Sequence, residues 1–523
     1  MLGQNPPISK IYLSDQSDGE IGLRSNIINC IAIQGPNTTW VGTGQGISVM
    51  RDSVNIYSLD TMRIVNGEPR SMFDSIASMS VQDDIFSFAS LTSIEGDPAG
   101  TGIYLTENGL TDELEWYRFD QPIDSTGVAL AEFGLGYFEA RPVIGTRGVV
   151  TYSMDINDNY LWITSWYGGL RRLDLDQKTE WQRIPLPLDS VETLITCDYG
   201  QYVESDNKLV LKDYYWDSSD PDGNNNHKTF AVLAYGDTVW VGTANGINRG
   251  ILRTEDCIDW QHYFHPNDSL SGNWVIDIAK QEYDGKRRIW AVTVNALLDT
   301  ERQSISYTDD DGESWKIVDE LRNIRCHDIA VQDSNIFVAS EVGLWKSVNG
   351  RNWELIQPAV EATPLSSDEI LSNTVYSVAA DNREYFTFPI VWIGTPDGLA
   401  RSFNKSADNW QIYRAVNYQT EIYAYPNPFS PYSHNQLNGD GWVRFNTGET
   451  LIGSVKLDIY NFAMGKVYSE AFDWRTNPGA VKWNGRDQNG ELVANGVYFI
   501  HLKLSDDLNN IDEEHWVKLV VVK

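Results

Sequence analysis

"LSNTVYSVAADNREYFTFPIVWIGTPDGLARS", residues 371 to 402, carries in order the phrases from which most of this chain is built. Its core, "WIGTPDGL" (392 to 399), has near-copies in "WVGTGQGI" (40 to 47), "WITSWYGGL" (162 to 170) and "WVGTANGI" (240 to 247). An aromatic residue, alternating small or apolar residues, then Gly before Ile or Leu recurs seven times, centred on Trp40, Phe86, Trp162, Trp240, Trp290, Phe337 and Trp392. Upstream of most copies lies a second phrase, as in "SNIINCIAI" (25 to 33), "GNWVIDIAK" (272 to 280), "NIRCHDIAV" (323 to 331) and "SNTVYSVAA" (372 to 380). Downstream lies a third that ends in Trp: "TEDCIDW" (254 to 260), "TDDDGESW" (308 to 315), "SVNGRNW" (347 to 353) and "SFNKSADNW" (402 to 410). Alternation with period two, broken by turn residues, gives four short strands per repeat. Four antiparallel strands repeated seven times, without long helices, predict an all-β chain with a seven-bladed β-propeller.

Composition bounds the rest. At 523 residues the chain is long enough for more than one domain. Apolar residues at 41% and aromatics at 12% supply a globular core. Lys and Arg number 40 against 73 Asp and Glu, a net charge of -33. Such a surface repels phosphate backbones and anionic membranes, which argues against nucleic acid as a partner. No stretch approaches the roughly 20 apolar residues of a membrane helix, so a soluble chain is expected. "MLGQNPPISK" turns polar at once and shows no signal-peptide pattern. Cys30, Cys197, Cys257 and Cys326 lack CxxC or zinc-like spacing and read as isolated buried thiols. Cys30 and Cys326 fall on the innermost strands of blades one and six, too far apart in a closed ring for a bridge.

The opening stretch resembles the propeller repeats of two-component regulator sensors. "TDDDGESW" resembles the Asp-box of sialidase-like propellers, which implies that its Thr, Asp, Gly and Trp close a hairpin between third and fourth strands. Those motifs are structural, and no catalytic residue is named. "QRIP" (182 to 185) resembles the arginine motif of sialidases, but it follows the third blade's outer strand and the remaining catalytic set is missing. Paired carboxylates for glycoside hydrolysis carry no local signature. "SSDPDGNNN" (218 to 226) resembles the first half of a calcium loop, with Asp220 and Asp222 as weak candidates; Thr229 stands where the closing Glu belongs. No metal-binding histidine pair or phosphate-cradling loop is found, and no cofactor is expected.

Near residue 420 the repeats stop at "AYPNPFSPYSHNQLNGDG" (424 to 441), and short strands follow. About a hundred residues of this kind predict an Ig-like β-sandwich. "YPNPF" (425 to 429), "VKLDIYNFAMGKVY" (455 to 468), "VKWNGRDQNGELVANGVYFIHL" (481 to 502) and "VKLVVVK" (517 to 523) resemble the C-terminal sorting domain of type IX secretion cargo, which is related to the Ig-like domain of flagellar hook-cap proteins. The resemblance implies export across both membranes of a bacterium, type IX machinery as partner, and a sorting surface near Lys518 and Lys523. The chain thus divides into an N-terminal segment (1–20), a propeller (21–418) and a sorting domain (419–523).

Three function classes follow: a noncatalytic surface binding or assembly protein, a secreted carbohydrate-active enzyme, and a sensor ectodomain. The candidate contact surface comes from one anomaly. Blade three puts Trp166 and Tyr167 where other blades use small residues in the turn. The long links that enter and leave it, 119–150 with Phe133, Tyr137 and Phe138, and 186–228 with Tyr202, Tyr214, Tyr215 and Trp216, should emerge on the same face. The rings would form either a partly exposed platform for polysaccharide or protein, or a small satellite core under the two insertions.

Overall fold

The computed structural model describes residues 21–523 apart from 52–54, 128, 221–222, 297, 358–367, 385, 387–388, 405, 408, 417–421, 448–452, 474–475, 477–478 and 507–510. The N-terminal segment 1–20 and the boundary expected at 418/419 therefore lie outside the described residues. Seven antiparallel sheets follow in chain order, each built from four consecutive strands. Their innermost strands are Ile28–Gln34, Ser75–Gln82, Ser153–Asn157, Thr229–Tyr235, Trp274–Tyr283, Cys326–Gln332 and Ser377–Asp381. Each packs beside the next, and Ser377–Asp381 packs beside Ile28–Gln34, which closes a ring of seven blades. The ring is tied where it closes. Ile21–Gly22 pairs with Ala415–Val416, and Asn26 accepts from the N–H groups of Gly398 and Ala415 at 2.7 and 2.8 Å.

The repeated phrases have distinct physical jobs. The aromatic phrase is the second strand of each blade, buried along its length in blades one, four, six and seven. Its Trp meets the Trp that ends the next blade's third phrase: Trp40 with Trp116, Trp240 with Trp315, and Trp290 with Trp353, all edge to face at 6.1–6.3 Å. Arg51, Arg172, Arg249, Arg288 and Arg401 lie over the same row of Trp rings at 5.2–5.9 Å. Blades therefore interlock through T-shaped aromatic pairs, while the cation–π contacts brace each Trp within its own blade. The Gly of "WIGT" lets neighbours close up: a Cβ on Gly394 would sit 2.6 Å from Ile28 of blade one.

Carboxylates on the inner strands join blade to blade. Asp155 accepts the Ala234 N–H at 2.7 Å, Asp277 that of Ile329 at 3.0 Å, and Asp328 that of Val378 at 3.0 Å. In blade five, Asp310 accepts from the Thr308 hydroxyl and the Ser314 N–H at 2.7 and 2.9 Å, and Gly312 donates to Thr308. That turn sets Trp315, the ring that enters blade four.

After the ring come two facing sheets. One joins Tyr423–Tyr425, Val443–Asn446 and Lys482–Trp483; the other orders Lys466–Asp473, Ser454–Tyr460, Gly496–Asp506 and Ile511–Val521. Val443, Phe445 and Trp483 from the first share a buried core with Leu457, Ile500, Leu502 and Leu519 from the second, so the unit is a β-sandwich. The two terminal motifs meet each other. Phe429, fully buried, donates its N–H to Val520 and accepts from Val522, while the Asn427 side chain bonds both Lys518 and Val520. "YPNPF" thus covers the free edge of the closing strand, a position otherwise open to aggregation. Lys518 and Lys523 are both exposed, and Lys523 is tied through its N–H to Asn495 and its Nζ to Leu492. Among the described residues no helix is long and apolar enough to cross a membrane.

Candidate functional site

The two long insertions build a sheet of their own against blade three. Leu130–Phe133, Gly136–Ala140, Lys208–Trp216 and Tyr202–Ser205 are its strands in order, with Gly136–Ala140 running parallel to Lys208–Trp216. On the way, Thr193–Ile195 adds a fifth strand to blade four, pairing with Asp259–Gln261. That pairing corrects the expectation for two cysteines. Cys197 and Cys257 are half-buried and form a disulfide, with α-carbons 5.3 Å apart. Sixty residues separate them in sequence, and only the extra strand on blade four brings them together. Cys30 and Cys326 remain thiols, on separate blades as expected.

The turn Trp166–Tyr167 lies on the same face as both insertions. Tyr167 donates its N–H to Gly148 of the first and accepts from the Ser218 hydroxyl of the second. The rings then part company. Phe133, Phe138, Tyr214 and Trp216 are buried in one cluster with Ile184, Leu186 and Leu211. Trp166 is buried too, but in the core of the ring, against Phe230 at 5.3 Å and Trp274 at 6.0 Å. Tyr137 is half-buried under Lys208, Tyr167 is half-buried, and Tyr215 is 51% exposed. Tyr202 is buried in the same cluster as Phe133, so six of the nine rings are core, and the surface reading narrows to Tyr137, Tyr167 and Tyr215. Burial also drives His227, stacked on Trp216 and bonded to the Tyr214 hydroxyl, down to about 3, so it stays neutral.

A buried ionic latch fixes this module. Asp124 of the first insertion pairs with Arg171 at 2.9 Å and with Arg183, two residues directly opposite one another on adjacent strands of blade three. Burial alone would raise the Asp124 carboxyl; the two guanidinium groups hold it below its usual range. Arg183 also donates to the Arg141 carbonyl and stacks over Trp216 at 4.1 Å, and burial pushes it down to about 10. The Arg of "QRIP" therefore serves the latch. Arg172 is likewise engaged, with Asp256 at 2.9 Å, Gln182 at 2.8 Å and the Tyr160 ring at 4.4 Å.

Two clefts flank the module. The larger, about 830 Å³, runs between the insertion sheet and blade three, lined by Phe133, Tyr160, Trp181, Arg172, Glu180 and Glu255 among others. The smaller, about 250 Å³, is lined by Arg141, Ile144, Tyr167, Trp216 and Asp217. No periodic pattern pointed to the larger cleft, because it is assembled from the first insertion, blade three and the Glu255–Asp256 turn of blade four. Asp220 closes a surface turn, its N–H on Asp217 and its carbonyl on Gly223. Asp222 lies outside the described residues, and no cluster of metal-ligating side chains is found among those described.

No protein-family model matches the chain, and no curated protein matches it. Solved structures similar to it include the extracellular domain of a hybrid two component system from B. thetaiotaomicron (11% identity over 95% of this chain and 86% of that one, TM-score 0.27). BamB from Moraxella catarrhalis is similar at 9% identity over 78% and 96%, TM-score 0.34. PorZ, a bacterial surface component of the type IX secretion system of Porphyromonas gingivalis, is similar at 13% identity over 95% and 87%, TM-score 0.17.

Proposed function

We propose that this chain is a secreted or cell-surface, noncatalytic propeller that binds an extracellular polysaccharide or another surface protein, and that residues 419–523 are an Ig-like type IX sorting domain. The insertion module carries the binding reading. The two links together build a separate four-stranded sheet, and it is held in place by both a buried ion pair and a disulfide. Rigid loops on a rigid scaffold are where binding surfaces concentrate. Clefts with Trp181 and Tyr160 on one side and Tyr167 on the other offer ring faces that suit sugars or protein anchors. Disulfides persist in oxidising compartments, which supports a location outside the cytosol. The sorting reading is supported by the mutual pairing of "YPNPF" with the terminal strand, since two of the matched motifs form one structural unit. The hydrogen-bonded turn at Asp310 supports the Asp-box reading.

Two measurements check these readings. A polysaccharide panel, scored for binding and for reducing-end release, is expected to show binding without release, weakened at least tenfold by Trp181→Ala with Tyr215→Ala. Release of reducing ends would turn the reading to a carbohydrate-active enzyme; unchanged affinity in the variant would remove the module as the contact surface. Deleting residues 420–523 is expected to abolish surface export in a bacterium that secretes the intact chain. Unchanged fractionation of the truncated protein would remove the sorting reading.

A further inference from the structure

Two arginines and two aspartates meet where the sandwich touches blade seven. Asp368 accepts from Arg414 at 2.6 Å and from Arg444 at 2.8 Å; Asp397 accepts from Arg414 at 3.0 Å and from Arg444 at 2.6 Å. The four charges form a closed ring in which each ion touches two of opposite sign. Asp368, Asp397 and Arg414 belong to the propeller, and Arg444 stands on the sandwich strand Val443–Asn446. Both arginines also donate to the Glu369 carbonyl, and the Leu371 N–H donates to Asp397. Burial would raise the Asp368 carboxyl, yet the flanking Arg414 and Arg444 hold it well below the carboxylate range. Burial opposes the Arg444 charge, and Asp397 and Asp368 more than offset it.

Around this ring the contact continues. Lys482 of the sandwich pairs with Glu369, and Asn373 donates its N–H to the Gln436 carbonyl at 3.0 Å. Leu371 of the propeller packs with Leu437, Ala480 and Trp442 of the sandwich. A flexible tether would leave each of these groups solvated. Here Arg444 has no water to return to unless the whole contact opens, and an uncompensated buried charge is among the costliest defects a protein can carry.

We infer that the sandwich is locked non-covalently onto blade seven, so that it remains on the propeller even when the chain between them is cut. The surface bearing Arg444 and Lys482 is then closed to any receptor, which must read another part of the sandwich. The inference does not depend on the export reading, since it concerns only how the two parts hold together.

A protease site placed between Val416 and Ile422 of the full chain allows the test. After complete cutting, the two fragments are expected to co-elute in size-exclusion chromatography on dilution. Separation of the wild-type fragments would overturn the inference. In the same cut protein, Arg444→Met is expected to weaken the association at least a hundredfold, with near-ultraviolet circular dichroism confirming that both fragments stay folded. Retention as tight as wild type would show that the ring is not the lock. Should Arg444→Met not fold, Lys482→Met at the rim provides the milder variant, expected to weaken association about tenfold; no change there would count against the inference equally.

Discussion

Asp124→Ala is expected to destabilise the insertion module by about 3–5 kcal/mol, the cost of leaving buried cations without their partner. Arg171 and Arg183 are almost fully buried and oppose each other across adjacent strands. With Asp124 present one carboxylate bridges the two cations and leaves a single net positive charge; without it two guanidinium groups face each other in a low-dielectric pocket. The module should open while the ring stays closed. Hydrogen exchange is expected to speed up over 124–148 and 197–216 and to stay unchanged over the inner strands of blades five to seven. As a control, Asp120→Ala removes an exposed partner of Arg118 and is expected to change stability by less than about 1 kcal/mol. Equal effects from the two substitutions would mean that the latch does not hold the module.

Asp155→Asn tests the inner-strand carboxylates through pH. Asp155 is half-buried between the inner strands, and although Ala234, Ser80 and Ile156 all donate to it or lie on its network, desolvation dominates and raises it from 3.8 to about 6. A raised carboxyl binds its proton more tightly in the folded state, so between pH 4 and pH 6 the native protein holds more protons than the unfolded chain. Stability from this group therefore rises as pH falls from about 6 to about 4, and above pH 6 the buried charge carries its full cost. The difference between 3.8 and about 6 corresponds to about 3 kcal/mol. Urea unfolding of wild type and variant at pH 7 and pH 4 is expected to show the wild type gaining about that much relative to Asp155→Asn at the lower pH. Below pH 4 stability falls in both proteins, because the unfolded chain takes up protons at Asp124 and Asp368 while arginines keep both ionised in the folded state. Parallel pH profiles would show that Asp155 is not buried as a charge.

What was legible in the sequence was periodic. Seven copies of an aromatic phrase, most of them flanked by one or both of the same companions, are a statement about nearest neighbours along the chain, and a propeller is made of nearest neighbours. Trp40, Trp240 and Trp392 could be placed on second strands because identical local environments select identical local residues. The sandwich was legible for the related reason that alternation and turn residues act over a few positions. The face shared by Trp166–Tyr167 and the two insertions also followed, from the direction a chain takes through consecutive antiparallel strands.

Tertiary structure alone decided the features that join distant positions once. Nothing local distinguishes Cys197 and Cys257 from isolated thiols; the added strand Thr193–Ile195 on blade four makes them a pair. Nothing local marks Asp124 as the partner of Arg171 and Arg183, or Arg444 as the closing member of a ring with Asp368, Asp397 and Arg414. Aromatic character could not say which rings would be core, since Tyr214 and Trp216 are buried and Tyr215 between them is exposed. Alternation along a strand sets neighbouring side chains on opposite faces, but only the packed neighbour decides which face is the inside.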